Sequence, residues 1–165
     1  MKRFITFILL ISISVAIVGC AQSEFKTKLN DIVKLSTSAL DKYSEAKNLL
    51  NEKKYVEASN KALEAKVEFL QVLDKLNDLK EFAKTDEEKK LVNDWITATQ
   101  LSIESIDAFN NYITHKQLFD AMTPIPDPSY IEMQNKVNAA FMEWINKESK
   151  AMDLMGDVIE TLKKL

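Results

Sequence analysis

Residues 24–50, "EFKTKLNDIVKLSTSALDKYSEAKNLL", decide how the chain folds. Phe25, Leu29, Ile32, Ser36, Ala39, Tyr43, Ala46 and Leu50 succeed one another in alternating steps of four and three. A helix turns once in about 3.6 residues, so this spacing lays all eight along one side. Lys, Asp, Glu and Asn fill the intervening places, as a solvated side requires. Ser23 is placed to accept from the free N–H groups of the first turn. The spacing predicts a helix over about 24–50.

The pattern then breaks and restarts three times. After "NEKKY", Tyr55, Ala58, Ala62, Ala65, Phe69, Val72, Leu76, Leu79 and Ala83 predict a second helix over about 54–83. Leu63, Val67, Leu70 and Leu73 widen its apolar surface, so it is expected to touch more than one neighbour. "KTDEEKK" is the next break. Thr85 followed by Glu88 is a capping box, with Asp86, Glu87 and Glu88 at the positive end of the helix dipole. Val92, Trp95, Thr99, Ser102, Ile106, Phe109 and Ile113 line the third helix, about 86–122. "TPIPDPS" holds all three prolines and ends it. Asp127 or Ser129 could cap the fourth helix, about 129–163, with Pro128 an alternative start. Its face is read as Tyr130, Met133, Val137, Phe141, Trp144, Met152, Met155, Ile159 and Leu162, with Gly156 a weak point.

Composition agrees. The 165 residues include only two glycines and three prolines, too few turn residues for many loops, while 46% are hydrophobic and 28% charged, as in a globular chain. The expected fold is all-α: one domain, residues 24–165, forming an antiparallel up-down four-helix bundle with short connections.

The start of the chain is different in kind. Lys2 and Arg3 precede an apolar run, "FITFILLISISVAIV", residues 4–18, and then Gly19 and Cys20. The run is shorter than the roughly 20 residues a spanning helix needs and suits the apolar region of a signal peptide. Ile17-Val18-Gly19-Cys20 resembles the lipobox of bacterial lipoproteins. That resemblance covers the first 20 or so residues and implies a signal peptide over 1–19, diacylglycerol on the thiol of Cys20 (palmitate being the typical chain), and cleavage before it. A short tether, 20–23, then joins lipid to helix. The alternative is an uncleaved helix with an ordinary buried cysteine. Two or three acyl chains, at about 0.8 kcal/mol per buried CH₂, hold a protein stably on a bilayer. The implied location is extracytoplasmic, on the cell membrane. Ala21 lacks the inner-membrane retention signal that Asp would give there, so an outer membrane is implied if the source has one.

Several chemistries lack the residues they need. A lone cysteine makes no internal disulfide, and the single histidine, His115, has no Glu three residues before it for a di-metal site. It is expected to be a surface residue near a helix end. No metal and no cofactor is expected. No Gly-x-Ser-x-Gly elbow or glycine-rich phosphate loop occurs. Glu104 with Asp107, and Asp74 with Asp78, are expected to be solvated surface. The net charge is −3, or −5 without Lys2 and Arg3, and Arg3 is the only arginine, so no nucleic-acid partner is expected. The chain reads as non-enzymatic. Residues 46–65, "AKNLLNEKKYVEASNKALEA", resemble the core of one tetratricopeptide repeat, but no second copy follows about 34 residues later and an ordinary helical hairpin is the simpler reading.

Two places are candidates for binding. Small polar residues in helix three, Thr97, Thr99, Ser102 and Ser105, could line a cavity walled by Trp95, Phe109, Tyr112 and Trp144; the alternative is hydroxyls bonded back to the preceding turn. Met122, Ile125 and Tyr130, in or beside the proline segment, are a candidate partner loop, where the alternative is a rigid loop covering the core. Only about four residues separate Cys20 from the first helix, roughly 13 Å extended, so the bundle should stand close to the membrane. "NEKKY" and "TPIPDPS" should then lie at the far end, about 40 Å out. A membrane reached through Cys20, an envelope protein as partner, and self-association through a coiled-coil-like seam are the expected interactions. A small-ligand-binding or sensory role is the alternative function.

Overall fold

A computed structural model describes residues 24–122, 124 and 128–164. The lipobox with Cys20, the signal peptide and tether (1–23), Ile125 and the candidate cap Asp127 lie outside the described residues. Four helices make up the fold, with no strand among the described residues. They are α1 (Glu24–Asn51), α2 (Tyr55–Leu79), α3 (Asp86–Ala121) and α4 (Pro128–Leu162). A 3-10 turn, Lys80–Phe82, tightens the end of α2, so the regular helix is shorter than the apolar pattern suggests. Pro128 is the first residue of α4, where its missing N–H costs nothing.

Side-chain pairs show the helices alternating in direction. Lys42 bonds Glu68 and Lys61 pairs with Glu45 between α1 and α2, one number rising as the other falls. Ser59 meets Asn110, and Lys66 meets Asp107, between α2 and α3. Tyr112 meets Phe141, and Phe119 meets Tyr130, between α3 and α4. The bundle is therefore antiparallel. Successive helices pack closely; α1 and α4 lie farther apart and meet through long side chains.

Every residue of the 24–46 seam is buried, and Leu50 is half-buried. In α3 burial extends to Leu91, Ile96, Ala98, Ser105 and Ala108 as well, because this helix faces three others. In α4 the buried line is Val137, Ala140, Trp144, Glu148, Ala151, Met155 and Val158. Phe141, expected in the core, is exposed instead, and Met152 and Ile159 are half-buried. The reading favoured large side chains, whereas close approach to α3 selects the alanines one residue earlier. α2 touches two neighbours, α1 and α3, as expected, but not through its widened face: Leu63, Val67 and Leu70 are exposed, and of that set Leu73 alone is partly covered.

The ends are built as local chemistry demands. Lys53 takes a left-handed conformation at φ 60°; its N–H bonds Leu50 O at 2.9 Å, and the Lys54 N–H bonds Leu49 O at 3.0 Å. This is a Schellman stop with lysine where glycine is usual. Thr85 and Glu88 form the expected capping box, the threonine hydroxyl accepting from Glu88 N at 3.1 Å and the carboxylate from Thr85 N at 3.0 Å. Those backbone donors hold the Glu88 carboxyl below its usual range, against a smaller opposing effect of burial.

The core has two apolar layers. The one nearer the start of α1 gathers Ile32, Leu76, Leu79, Leu91, Trp95 and Met155. The other packs Phe69, Phe109, Tyr43 and Trp144 against alanines 39, 46, 58, 62, 65 and 108. Between them lie buried Ser36, Thr99 and Ser102.

Candidate functional site

Phe109, Tyr112 and Trp144 of the candidate cavity belong to the second layer, and Met122 and Tyr130 lie at the same end, remote from Glu24. The Tyr55 hydroxyl, just past the α1–α2 turn, donates to the carboxylate of Asp120 at the end of α3. That bond puts the α1–α2 turn and the end of α3 at the same end, as the alternating topology requires. Lys116 also bonds Asp120. Burial together with the bond to Asp120 pushes the Tyr55 hydroxyl up to about 12. Partial burial opposes ionisation of Asp120, but the bonds from Lys116 and Tyr55 outweigh it and hold its carboxyl low.

Deeper in, a polar network crosses the α1–α4 seam. The indole N–H of Trp144 donates to the Tyr43 hydroxyl at 2.7 Å, and that hydroxyl meets Ser105 Oγ at 3.2 Å. Since Trp144 donates, the tyrosine proton is available to the serine. Lys47 Nζ donates to Glu148 Oε1 at 2.7 Å and stands 4.8 Å from the Tyr43 ring centre. Glu148 is only 6% exposed. Burial, and then the Glu148 charge, drive the Tyr43 hydroxyl far above the usual tyrosine range; its hydrogen bonds only partly offset this. Sequence reading missed Lys47 and Glu148 entirely. The signal was present, since Glu148 sits four residues after Trp144 on the buried line of α4.

The expected cavity wall converges only in part: Phe109, Tyr112 and Trp144 come together, while Trp95 does not join them. Phe109 packs edge-on to Trp144 at 4.9 Å, and Tyr112 stacks on Trp144 at 5.5 Å. Trp95 belongs to the other core layer, about 21 Å along α3 from Phe109 at 1.5 Å per residue. Ser102 and Thr99 bond back to the carbonyls of Ala98 and Trp95 at 2.9 and 2.8 Å. Thr97 does the same to Asn93 at 3.0 Å, on the exposed side. Of these hydroxyls, Ser105 alone joins a contact between helices. The small polar residues of α3 thus chiefly satisfy themselves and let neighbours approach. Trp95 Nε1 and Ser36 Oγ are buried with no hydrogen-bond partner among the described residues.

The rim of this end is apolar and aromatic. Met122 and Tyr130 are half-buried, and the rings of Phe119 and Tyr130 lie 4.9 Å apart. Leu118 and Ile131 beside them are exposed, as are Phe141 and Met142 further along α4. His115 is half-buried in the last two turns of α3, and its Nδ1 has no partner among the described residues. Glu104, Asp107, Asp74 and Asp78 are exposed. No group of three or more His, Cys, Asp or Glu side chains is placed to hold a metal ion among the described residues, and no helix there is long and apolar enough to cross a membrane. Comparisons with protein-family models, with curated proteins and with solved structures find no significant match.

Proposed function

We propose that this chain is a lipid-anchored protein of a bacterial cell envelope, held by Cys20, that acts as a non-enzymatic interaction module. Its partner is an envelope protein met at the end away from the anchor. The observation that carries this reading is the exposed apolar rim of Leu118, Ile131, Phe141 and Met142, in which Phe141 is backed by the buried ring of Trp144. Exposed apolar groups on rigid backing lose little conformational entropy on docking, which suits a binding surface. The lipobox resemblance supplies the anchor, outside the membrane's cytoplasmic side and on an outer membrane where one exists.

The test has two arms. Cys20→Ser should abolish fatty-acid incorporation and release the protein from membranes. Retention on membranes without the label would indicate an uncleaved helix and sink the anchoring half. Crosslinked pull-down from intact envelopes should recover a partner with wild type and lose it with Ile131→Asp. A partner equally recovered by Ile131→Asp and by Met142→Asp would remove the rim from the reading.

A second reading, a small-ligand-binding or sensory domain, is favoured by the Tyr112–Trp144 stack with exposed Phe141 beside it, an aromatic wall reachable from solvent. Ligand binding there should shift Trp144 fluorescence. A ligand screen that moves neither emission nor melting temperature counts against it.

A further inference from the structure

A helix in a four-helix bundle needs one apolar stripe; α2 has two. Ala58, Ala65, Phe69, Val72 and Leu76 face the core. On the opposite side Val56, Leu63, Val67 and Leu70 are 60%, 47%, 54% and 45% exposed. At 100° per residue these four fall within an arc of about 60°, and they run about 21 Å along the helix. Val56, Leu63 and Leu70 repeat every seven residues, the interval that keeps a seam facing a partner helix. We propose that this stripe pairs with the same stripe of a second copy standing parallel to it in the same membrane.

Charge at the stripe's edges selects that geometry. On the edge toward α1 lie Glu57 and Glu64, the latter 51% exposed and held from behind by Lys61 at 3.0 Å, which also pairs with Glu45 of α1. On the edge toward α3 lies Lys66, which bonds Asp107 at 2.6 Å. A two-fold axis along the helices sets the Glu64 edge of each copy against the Lys66 edge of the other, about 3 Å apart in height. An antiparallel pair would set the Glu57–Glu64 edge against itself, like on like. The inference rests on the anchoring reading in one respect: a lipid at Cys20 gives every copy the same polarity and confines it beside its neighbours. Four half-exposed side chains supply roughly 300–400 Å² of apolar surface per copy, short of the ~800 Å² of a standard interface. Pairing is therefore weak in solution and gains from confinement at the membrane, as linked binding sites gain from effective concentration.

The test is disulfide trapping of the full chain in native membranes, with Val56→Cys, Leu63→Cys, Leu70→Cys, and Gln100→Cys on α3 as an exposed control. In a parallel pair each position meets its own counterpart within disulfide reach, so all three α2 variants should give about ten-fold more dimer than Gln100→Cys. Adding Val67→Glu to Leu70→Cys should return its dimer to the control level. Dimer from Leu63→Cys alone signals an antiparallel pair and overturns the proposal, as does control-level dimer from all three. Wild type, whose one cysteine is Cys20, reports separately on the anchor: a wild-type disulfide dimer shows a free thiol and defeats lipidation, while the α2 pattern still reads pairing.

Discussion

Replacing Lys47 by Met should destabilise the bundle far more than removing Lys47 and Glu148 together. The two side chains are 17% and 8% exposed and bonded at 2.7 Å across the wide α1–α4 seam. Lys47→Met keeps an unbranched apolar chain at this position but leaves a carboxylate buried without its counter-ion. Breaking a buried pair in this way costs about 3–5 kcal/mol. The residual exposure of Lys47 argues for the lower figure, about 3 kcal/mol, or a fall in Tm of roughly 6–12 °C for a domain of this size. Glu148→Leu should cost less, about 1 kcal/mol, because the long lysine stem can carry its ammonium out to water. The double variant Lys47→Met/Glu148→Leu should lie within about 1 kcal/mol of wild type, since an apolar pair avoids the desolvation that the ions incur. The assay is urea and thermal unfolding near neutral pH, followed by far-UV circular dichroism, for all four corners of the cycle. The discriminating quantity is the coupling: the double variant should recover most of the loss of Lys47→Met. If Lys47→Met falls within about 0.5 kcal/mol of wild type, the Glu148 carboxylate reaches water, the seam is wet, and the reasoning fails.

Four further variants probe other features of the bundle. Tyr43→Phe strands both the Trp144 indole N–H and the Ser105 hydroxyl, so it should cost about 2–3 kcal/mol in denaturant unfolding, more than the loss of one hydrogen bond. Glu88→Ala removes half of the capping box, at about 1 kcal/mol. Because the folded protein holds the Glu88 carboxyl low, that contribution is present above the unfolded value near pH 4.3 and is lost as pH falls through the folded value; stability measured against pH should show the deficit shrinking in acid. Two glycine exchanges should stabilise in opposite senses. Lys53→Gly relieves a side chain at φ 60°, by about 1 kcal/mol. Gly156→Ala, where an added Cβ meets nothing within 4 Å, should contribute about 0.4–1 kcal/mol. Melting temperatures that fall in either case refute the backbone argument at that site.

The helices were legible in the sequence because their signals are local. Steps of three and four from Phe25 to Ala46, the Thr85–Glu88 box and the clustered prolines each concern residues within a few positions of one another. Backbone hydrogen bonding and the helical repeat turn such spacing directly into a buried line. The seven positions from Phe25 to Ala46 are all buried for that reason. The same locality explains the errors. Phe141 and Ala140 are one residue apart, and periodicity cannot say which of them faces α3; the distance between backbones decides, burying Ala140 and leaving the Phe141 ring at the seam's edge against Tyr112. Leu63, Val67 and Leu70 read as core by composition, yet their burial depends on whether a neighbour stands on that side of α2. Among the described residues none does. Trp95 and Trp144 looked like walls of one cavity until topology set them in different layers.

By itself, then, the order of residues determined four helices and most of their ends, because each rests on contacts between near neighbours in the chain; short breaks between them made an alternating course the expected one. The lipobox resemblance is of the same local kind. Tertiary structure alone decided that Lys47 faces Glu148, that Trp144 donates to Tyr43, and that the second stripe of α2 looks outward. Those pairings join residues about a hundred positions apart or concern the absence of a neighbour. Neither leaves a periodic trace, because side-chain reach across a seam is set by how far apart two packed helices come to rest.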